Sequence, residues 1–356
     1  MRITGIGVGI PSLRVSNQDV LARIADHSRE LSPGAWRTVE RSALQLMESA
    51  GADIRRYRDL NSGETARDLV HQSMRDALLQ ASVAAGEIDA VIYCSVSRAF
   101  VEPGNAYFFA HELGLRCECF DISDACMGWL RAAQVVQDGM LTGRYRNVLV
   151  ICAEFGIYEM FDNRFHVTNP LDLRHAFATY TLGEIACATV LSAEGDPWEF
   201  HFRSRPDLAD LCFFALPGFE TFVGPHGNLA GAKPLSFTAR SGALFAAAED
   251  ELVALLADAI DRPNEPEMYV PHAASSTAAL RAAARAGVDQ ERVYATVMPR
   301  YGNVVSASLP LGLHLAASEG KLHAGADVVL CPASAGVTVG LARFQWNIPG
   351  GVDVAC

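Results

Sequence analysis

The sequence predicts an α/β fold of mostly parallel sheets covered by helices, built as two related halves. Three observations carry that expectation. Short, uniformly apolar runs alternate with longer stretches whose apolar residues recur every three or four positions, so buried strands alternate with amphipathic helices. A shift of 180 residues lays the stretch from Cys126 to Gly143 over residues 306–323, and Val148–Gly156 (VLVICAEFG) over Val328–Gly336 (VVLCPASAG), without a gap. Asp89–Ser97 matches Glu267–Ser275 at nearly the same shift, and three matches in one order favour duplication over chance. Finally, half of the 356 residues are hydrophobic, yet no apolar run is long enough to span a bilayer.

Taken in order, residues 2–10 read as a strand that stops at Pro11, and Ser16 is placed to cap a helix starting near Asn17. Residues 27–62 contain Ser32-Pro33-Gly34 and the basic cluster Arg55-Arg56-Tyr57-Arg58. They read as an irregular, partly helical insertion near a site mouth, or equally as a solvated loop. From Glu64 to Ala85, the spacing of Ala66, Leu69, Val70, Met74, Ala77 and Leu78 predicts an amphipathic helix, followed by a buried strand over Glu87–Val96. Residues 105–114 form a helix ending at Gly114. His111-Glu112 starts like a zinc-protease HExxH motif, but Leu115 stands where the second histidine is required.

A short strand at Cys119–Ile122 then runs into a helix marked by Leu130, Ala133, Val136 and Met140, with Cys126 in its first turn. A thiol there meets the positive end of the helix dipole, which favours the nucleophilic thiolate; the competing reading is a small buried hydrophobe. After a turn at Gly143 come a strand at 148–153, a loop-rich stretch at 157–180 and a strand at 183–191. The second half supplies strands at 267–270 and 292–298, a helix over 306–323, and strands at 328–336 and 336–344. His272 follows the first of these strands and Asn303 the second. Functional groups in such folds come from loops at the carboxyl ends of strands, so Cys126, His272 and Asn303 can share one site.

The balance of 41 acidic against 29 basic residues, net −12, argues against nucleic acid or an anionic membrane as partner and leaves a small molecule or a protein. The nine cysteines are scattered and mostly inside apolar runs, as expected of reduced cytosolic thiols. Cys117 and Cys119 have no matching pair at zinc-site spacing, so no metal is assigned. Met1-Arg2 leads straight into the first strand without a signal-peptide pattern, and a cytoplasmic location is expected.

Five segments carry a resemblance: the Ile3-Thr4-Gly5-Ile6-Gly7 start, Asp121–Gly128 around the cysteine, Pro271–Ser275 around the histidine, Tyr301–Pro310 around the asparagine, and Ala335–Gly340. Together they cover essentially the whole chain, which resembles the thiolase superfamily and, within it, the β-ketoacyl-ACP synthase III condensing enzymes. The resemblance implies a five-layered αβαβα fold with two pseudo-duplicated halves, 1–195 carrying the cysteine and 196–356 carrying the histidine and asparagine. It also implies a homodimer and no permanently bound cofactor, with acyl-CoA or acyl-carrier-protein thioesters as substrates.

By the same resemblance, Cys126 is the acylated nucleophile, and His272 and Asn303 hold the carbonyl of a malonyl donor. The backbone N–H groups of Cys126 and Ala335 form the oxyanion hole. Trp129, Met127 and Phe100 either line an acyl tunnel or are plain core, and Ser306, the repeat partner of Cys126, reads as a helix start. Leu211–Pro217 hints at a lipid-like or aromatic acyl group, or equally at core.

Three departures point to a relative in specialised metabolism. Ser275 stands where the family has asparagine, Gly183-Glu184-Ile185-Ala186 replaces Gly-Asp-Gly-Ala, and Trp36-Arg37 lie outside the usual coenzyme A context. The implied reaction is Cys126 acylation followed by decarboxylative Claisen condensation. The alternatives are acyl transfer to an alcohol or amine with His272 as base, and a non-catalytic partner subunit.

Overall fold

In the computed structural model, which describes residues 1–348 apart from 161, 171, 172, 174–176, 225, 226, 231, 261–264 and 273, two five-stranded sheets flank a pair of buried helices. The first half contains β1 (Arg2–Gly9), β2 (Leu13–Ser16), α1 (Asn17–His27), α2 (Pro33–Ala50), β3 (Ile54–Tyr57), α3 (Ala66–Ala81) and β4 (Ala90–Tyr93). It continues with α4 (Ala106–Glu112), β5 (Glu118–Asp121), α5 (Gly128–Leu141), β6 (Asn147–Glu154), α6 (Phe177–Thr181) and β7 (Ile185–Ser192). The second half contains β8 (Glu199–Ser204), β9 (Cys212–Phe214), α7 (Phe219–Val223), β10 (Phe237–Ala239), α8 (Ser241–Ile260) and β11 (Met268–Pro271). After it come α9 (Ser276–Arg285), α10 (Val297–Tyr301), α11 (Ser308–Ser318), β12 (Asp327–Cys331), β13 (Ala333–Ser334) and β14 (Thr338–Gln345).

The first sheet runs β1-β7-β6-β4-β5. In the second, β11 pairs with β12, β12 and β13 pair with one edge of β14, and β8 pairs with the other. Strands β4, β6, β7 and β1 therefore have β11, β12, β14 and β8 as counterparts. Helix α3 covers the outer face of the first sheet, α5 and α11 fill the middle, and α8 and α9 cover the second sheet, giving five layers. Residues Ser308 to Ala317 of α11 are all buried, as a helix apolar on every side must be. Close packing also explains the glycine spacing of β1: a Cβ at Gly5, Gly7 or Gly9 would come within 2.1, 2.0 or 2.2 Å of an α3 carbonyl oxygen.

Several expectations are corrected. The sheets are mixed: β4–β5, β4–β6 and β11–β12 are parallel, whereas the pairings of β1, β7, β8 and β14 are antiparallel. An apolar run reports burial on both faces, and helices bury these faces whichever way the neighbouring strand points. No strand spans 292–298. Val293 makes a single bridge to Tyr269, and Val297–Tyr301 is helical, with Pro299 in the first turn, where its missing N–H costs nothing. Residues 33–50 form a regular helix instead of an irregular insertion, with Ser32 as N-cap, Pro33 in the first turn, a buried face of Val39, Ala43, Met47 and Ala50, and Gly51 at the left-handed C-cap.

Candidate active site

The chain reaches the site through a sharp strand-to-helix elbow. After β5, Ala125 takes a left-handed φ of 44° and opens a 3-10 turn over Ala125–Met127 that leads directly into α5. A non-glycine residue pays of order 1 kcal/mol for that conformation, so packing must hold it. Gly128 allows the approach, because a Cβ there would lie 2.4 Å from the Cys94 carbonyl oxygen. The repeat position behaves alike: Val305 has φ 50° and precedes α11.

Cys126, His272, Asn303 and Ala335 all line one cavity of about 260 Å³. The structure thus brings together every predicted site residue. Cys126 is half-buried and open to the cavity. Burial pushes its thiol well above the usual cysteine value, with the Cys212 thiol and Glu154 carboxylate adding to the rise, while Ser334 and the thiol's own backbone N–H pull it back. Burial of the thiol thus opposes the depressed value expected at a helix N-terminus.

His272 follows β11. Its Nδ1 lies 3.1 Å from Ser308 Oγ, and its Nε2 has no partner among the described residues. Burial lowers the imidazole to about 4, so it is neutral at physiological pH. If the Ser308 hydroxyl donates to Nδ1, the ring proton sits on Nε2, on a residue that lines the cavity.

Asn303 is fixed from three sides. Its N–H donates to Thr181 O at 2.8 Å, its C=O accepts from Gly183 N at 3.0 Å, and its Oδ1 accepts from Val305 N at 3.0 Å. The last bond fixes the amide flip and leaves Nδ2 as a donor toward the cavity. Gly302, at φ 71°, makes this possible, since a Cβ there would lie 2.4 Å from Thr181 O.

The cavity wall is largely apolar. Phe213, Phe214 and Phe237 line it from the antiparallel pair β9–β10, so the stretch 211–217 belongs in part to the site. Helices α8 and α9 add Leu244, Phe245, Ala248, Leu252, Ala279 and Ala282, and at this end Glu249 is paired with Arg281 and Arg285. Trp129 and Met127 are fully buried core, with Trp129 Nε1 donating to Thr189 Oγ1 at 3.1 Å. Phe100 lies outside the cavity lining, exposed and stacked on Phe108. Ser275 lines the cavity and caps α9 by accepting from Ala278 N at 3.2 Å. Trp36 packs on the α1–α2 cluster, and Arg37 is exposed.

Sequence reasoning missed Glu154, Ser308 and Ser334. Glu154 is 3 % exposed and lines the cavity; its carboxylate accepts from the N–H groups of Val96, Ser97 and Ser306 and from Ser306 Oγ at 2.5 Å. Burial raises its pKa, and these donors oppose the rise. A lone carboxylate at the end of the apolar run VLVICAEFG was a visible signal of a buried polar role.

Fold and site together define a layered α/β protein with one cavity lined by a cysteine, a histidine and an asparagine. Residues 120–205 match the 3-oxoacyl-[acyl-carrier-protein] synthase III family, and residues 256–346 match the C-terminal domain of the same family. The structure is similar to 3-oxoacyl-[acyl-carrier-protein] synthase III from Aquifex aeolicus, with TM-score 0.76, 23% identity and coverage of 97% of this chain and 99% of that one. It is also similar to cerulenin-bound OleA of Xanthomonas campestris, with TM-score 0.80, 22% identity and coverage of 97% and 96%. A 3-oxoacyl-(acyl carrier protein) synthase III from Xanthomonas oryzae gives TM-score 0.78 at 22% identity, over 97% and 98%. Two segments of the chain thus match domains of the 3-oxoacyl-[acyl-carrier-protein] synthase III family, and its fold is similar to solved structures of that type.

Proposed function

We propose that the protein condenses two acyl thioesters: Cys126 takes an acyl group, and a malonyl-type thioester then loses carbon dioxide and attacks it. The observation that carries this reading is the pair of neutral N–H donors, His272 Nε2 and Asn303 Nδ2, beside a cysteine in one apolar cavity. Cys126 Sγ attacks the first thioester carbonyl, the N–H groups of Cys126 and Ala335 hold the resulting oxyanion, and the carrier thiol leaves. The malonyl thioester oxygen then accepts from His272 and Asn303. Cleavage of the carboxylate bond leaves an enolate, its carbon attacks the acyl-sulfur carbonyl, and Cys126 departs as thiolate while the β-ketoacyl thioester forms. An imidazole with a pKa near 4 is a poor general base at neutral pH, which weighs against transfer to an alcohol or amine.

The apolar wall favours a fatty or aromatic acyl group delivered by coenzyme A or a carrier protein. A related OleA of Xanthomonas campestris has been crystallised with lauric acid and lauroyl-CoA. We place the enzyme in the cytoplasm, in specialised metabolism, and as a homodimer; the exposed apolar residues Phe100, Val101, Tyr107 and Phe108 offer a face for the second copy. The test is acylation by a series of acyl-CoA and acyl-carrier thioesters, followed by intact mass. A single acyl adduct that disappears in Cys126→Ser is expected. No adduct from any donor would remove the nucleophile and the reading with it.

A further inference from the structure

The duplication pairs Glu154 with Ser334 as well as Cys126 with Ser306, and in the fold these pairs cross. Glu154, at the end of β6 in the first half, reaches the elbow of the second half and binds Ser306 through its N–H and its hydroxyl. Ser334, on β13 in the second half, lies beside the Ala125–Met127 turn of the first half. Each elbow is thus met by the strand-end side chain of the opposite half. In the second elbow a full carboxylate occupies the amide at its centre. In the first, a serine is shorter and uncharged, so the Cys126 N–H stays open to a ligand oxygen.

Ser334 is 5 % exposed, its hydroxyl has no hydrogen-bond partner among the described residues, and it lines the cavity with Cys126, on a strand packed against the Ala125–Met127 turn. A buried hydroxyl without a permanent acceptor costs free energy unless it serves a group that changes charge. The sulfur beside it does so in every acylation cycle. We propose that Ser334 is a positioning residue for Cys126, its O–H donating to the sulfur as the thiolate forms and aiming it at the incoming carbonyl.

This inference rests on Cys126 being the nucleophile, and burial of that thiol is what gives the donor its importance: with desolvation opposing the thiolate, the Ser334 O–H is a side-chain donor that favours it. The mirror residue shows the alternative. A carboxylate at 334 would set negative charge against the sulfur and fill the amide that must receive the oxyanion.

The test compares wild type, Ser334→Ala and Ser334→Thr in the full-length protein, with Cys126→Ser as background. Alkylation of Cys126 by iodoacetamide is followed by intact mass across pH 6–10, and acylation by lauroyl-CoA is timed separately. Ser334→Ala is expected to move the alkylation midpoint to higher pH and to slow acylation about tenfold, the effect of one hydrogen bond to a developing charge, and Ser334→Thr to restore both. An unchanged midpoint and acylation rate in Ser334→Ala would overturn the proposal. A wild type that no thioester acylates, but whose alkylation midpoint still moves with Ser334→Ala, would sink the condensing reading while supporting the contact.

Discussion

At Ala125-Cys126 and at Val305-Ser306 the chain makes the same turn, with left-handed φ values of 44° and 50° before a buried helix, yet the first presents Cys126 to the cavity while the second has Ser306 fully buried and closed off by Glu154. The closed one has its amide and hydroxyl bound to Glu154, a carboxylate satisfied by three N–H groups and one O–H. The open one carries a thiol, a short serine beside it and the free donors of His272 and Asn303 across the cavity. The two turns are equivalent frames. Side-chain length and charge at 154 and 334 decide which frame holds an internal carboxylate and which receives a substrate oxygen.

Moving the thiol breaks the comparison most severely. Cys126→Ala should abolish acyl uptake, and adding Ser306→Cys should not restore it, because Glu154 fills the second elbow; mass spectrometry of the lauroyl-CoA reaction reads this directly. Next in size, Asn303→Ala should slow decarboxylation of a malonyl thioester by on the order of 10²–10³ while leaving acylation of Cys126 nearly intact, measured as separate half-reactions.

Stability probes both sides of the comparison more gently. His272 has its pKa lowered by burial to about 4 from an ordinary 6.5, so its neutral form supports the fold fully above 6.5, and that support is lost as pH falls toward 4. The loss attributable to this ring is about 3 kcal/mol, and His272→Gln should flatten the acid limb of denaturant-unfolding curves measured at successive pH values. Glu154→Gln turns an amide NH2 toward backbone donors that needed an acceptor. It should cost about 1–3 kcal/mol and lower Tm by several degrees. The smallest change, Ser275→Ala, removes only the N-cap of α9, for about 1 kcal/mol by the same assay.

Much of the open elbow was legible in the sequence. Cys126 and His272 stand at the ends of elements set by apolar periodicity, Asn303 follows a helical turn that reads as a strand in the sequence, and all three line the cavity. The closed elbow was not legible, because a helix-start reading of Ser306 uses only local spacing, whereas its partner Glu154 is 152 residues away. Strand direction was equally hidden, since periodicity encodes burial and not the course of the neighbour. The pKa of Cys126 went the other way from the sequence expectation for a related reason: the dipole is local and could be inferred, while desolvation depends on walls from β9, α8 and α9. In α2 the information was present in Ser32-Pro33, in Val39, Ala43 and Met47, and in Gly51, but polar flanks masked it.

The most direct test of the central claim is a stoichiometry. Enzyme loaded with one acyl group on Cys126 is mixed with a malonyl thioester, and carbon dioxide, β-ketoacyl product and residual acyl-enzyme are measured in one turnover. The account predicts one carbon dioxide and one β-ketoacyl thioester for each acyl-enzyme consumed, with both lost together in Asn303→Ala. Acyl groups leaving Cys126 for an alcohol or amine, without carbon dioxide and without dependence on Asn303, would contradict it.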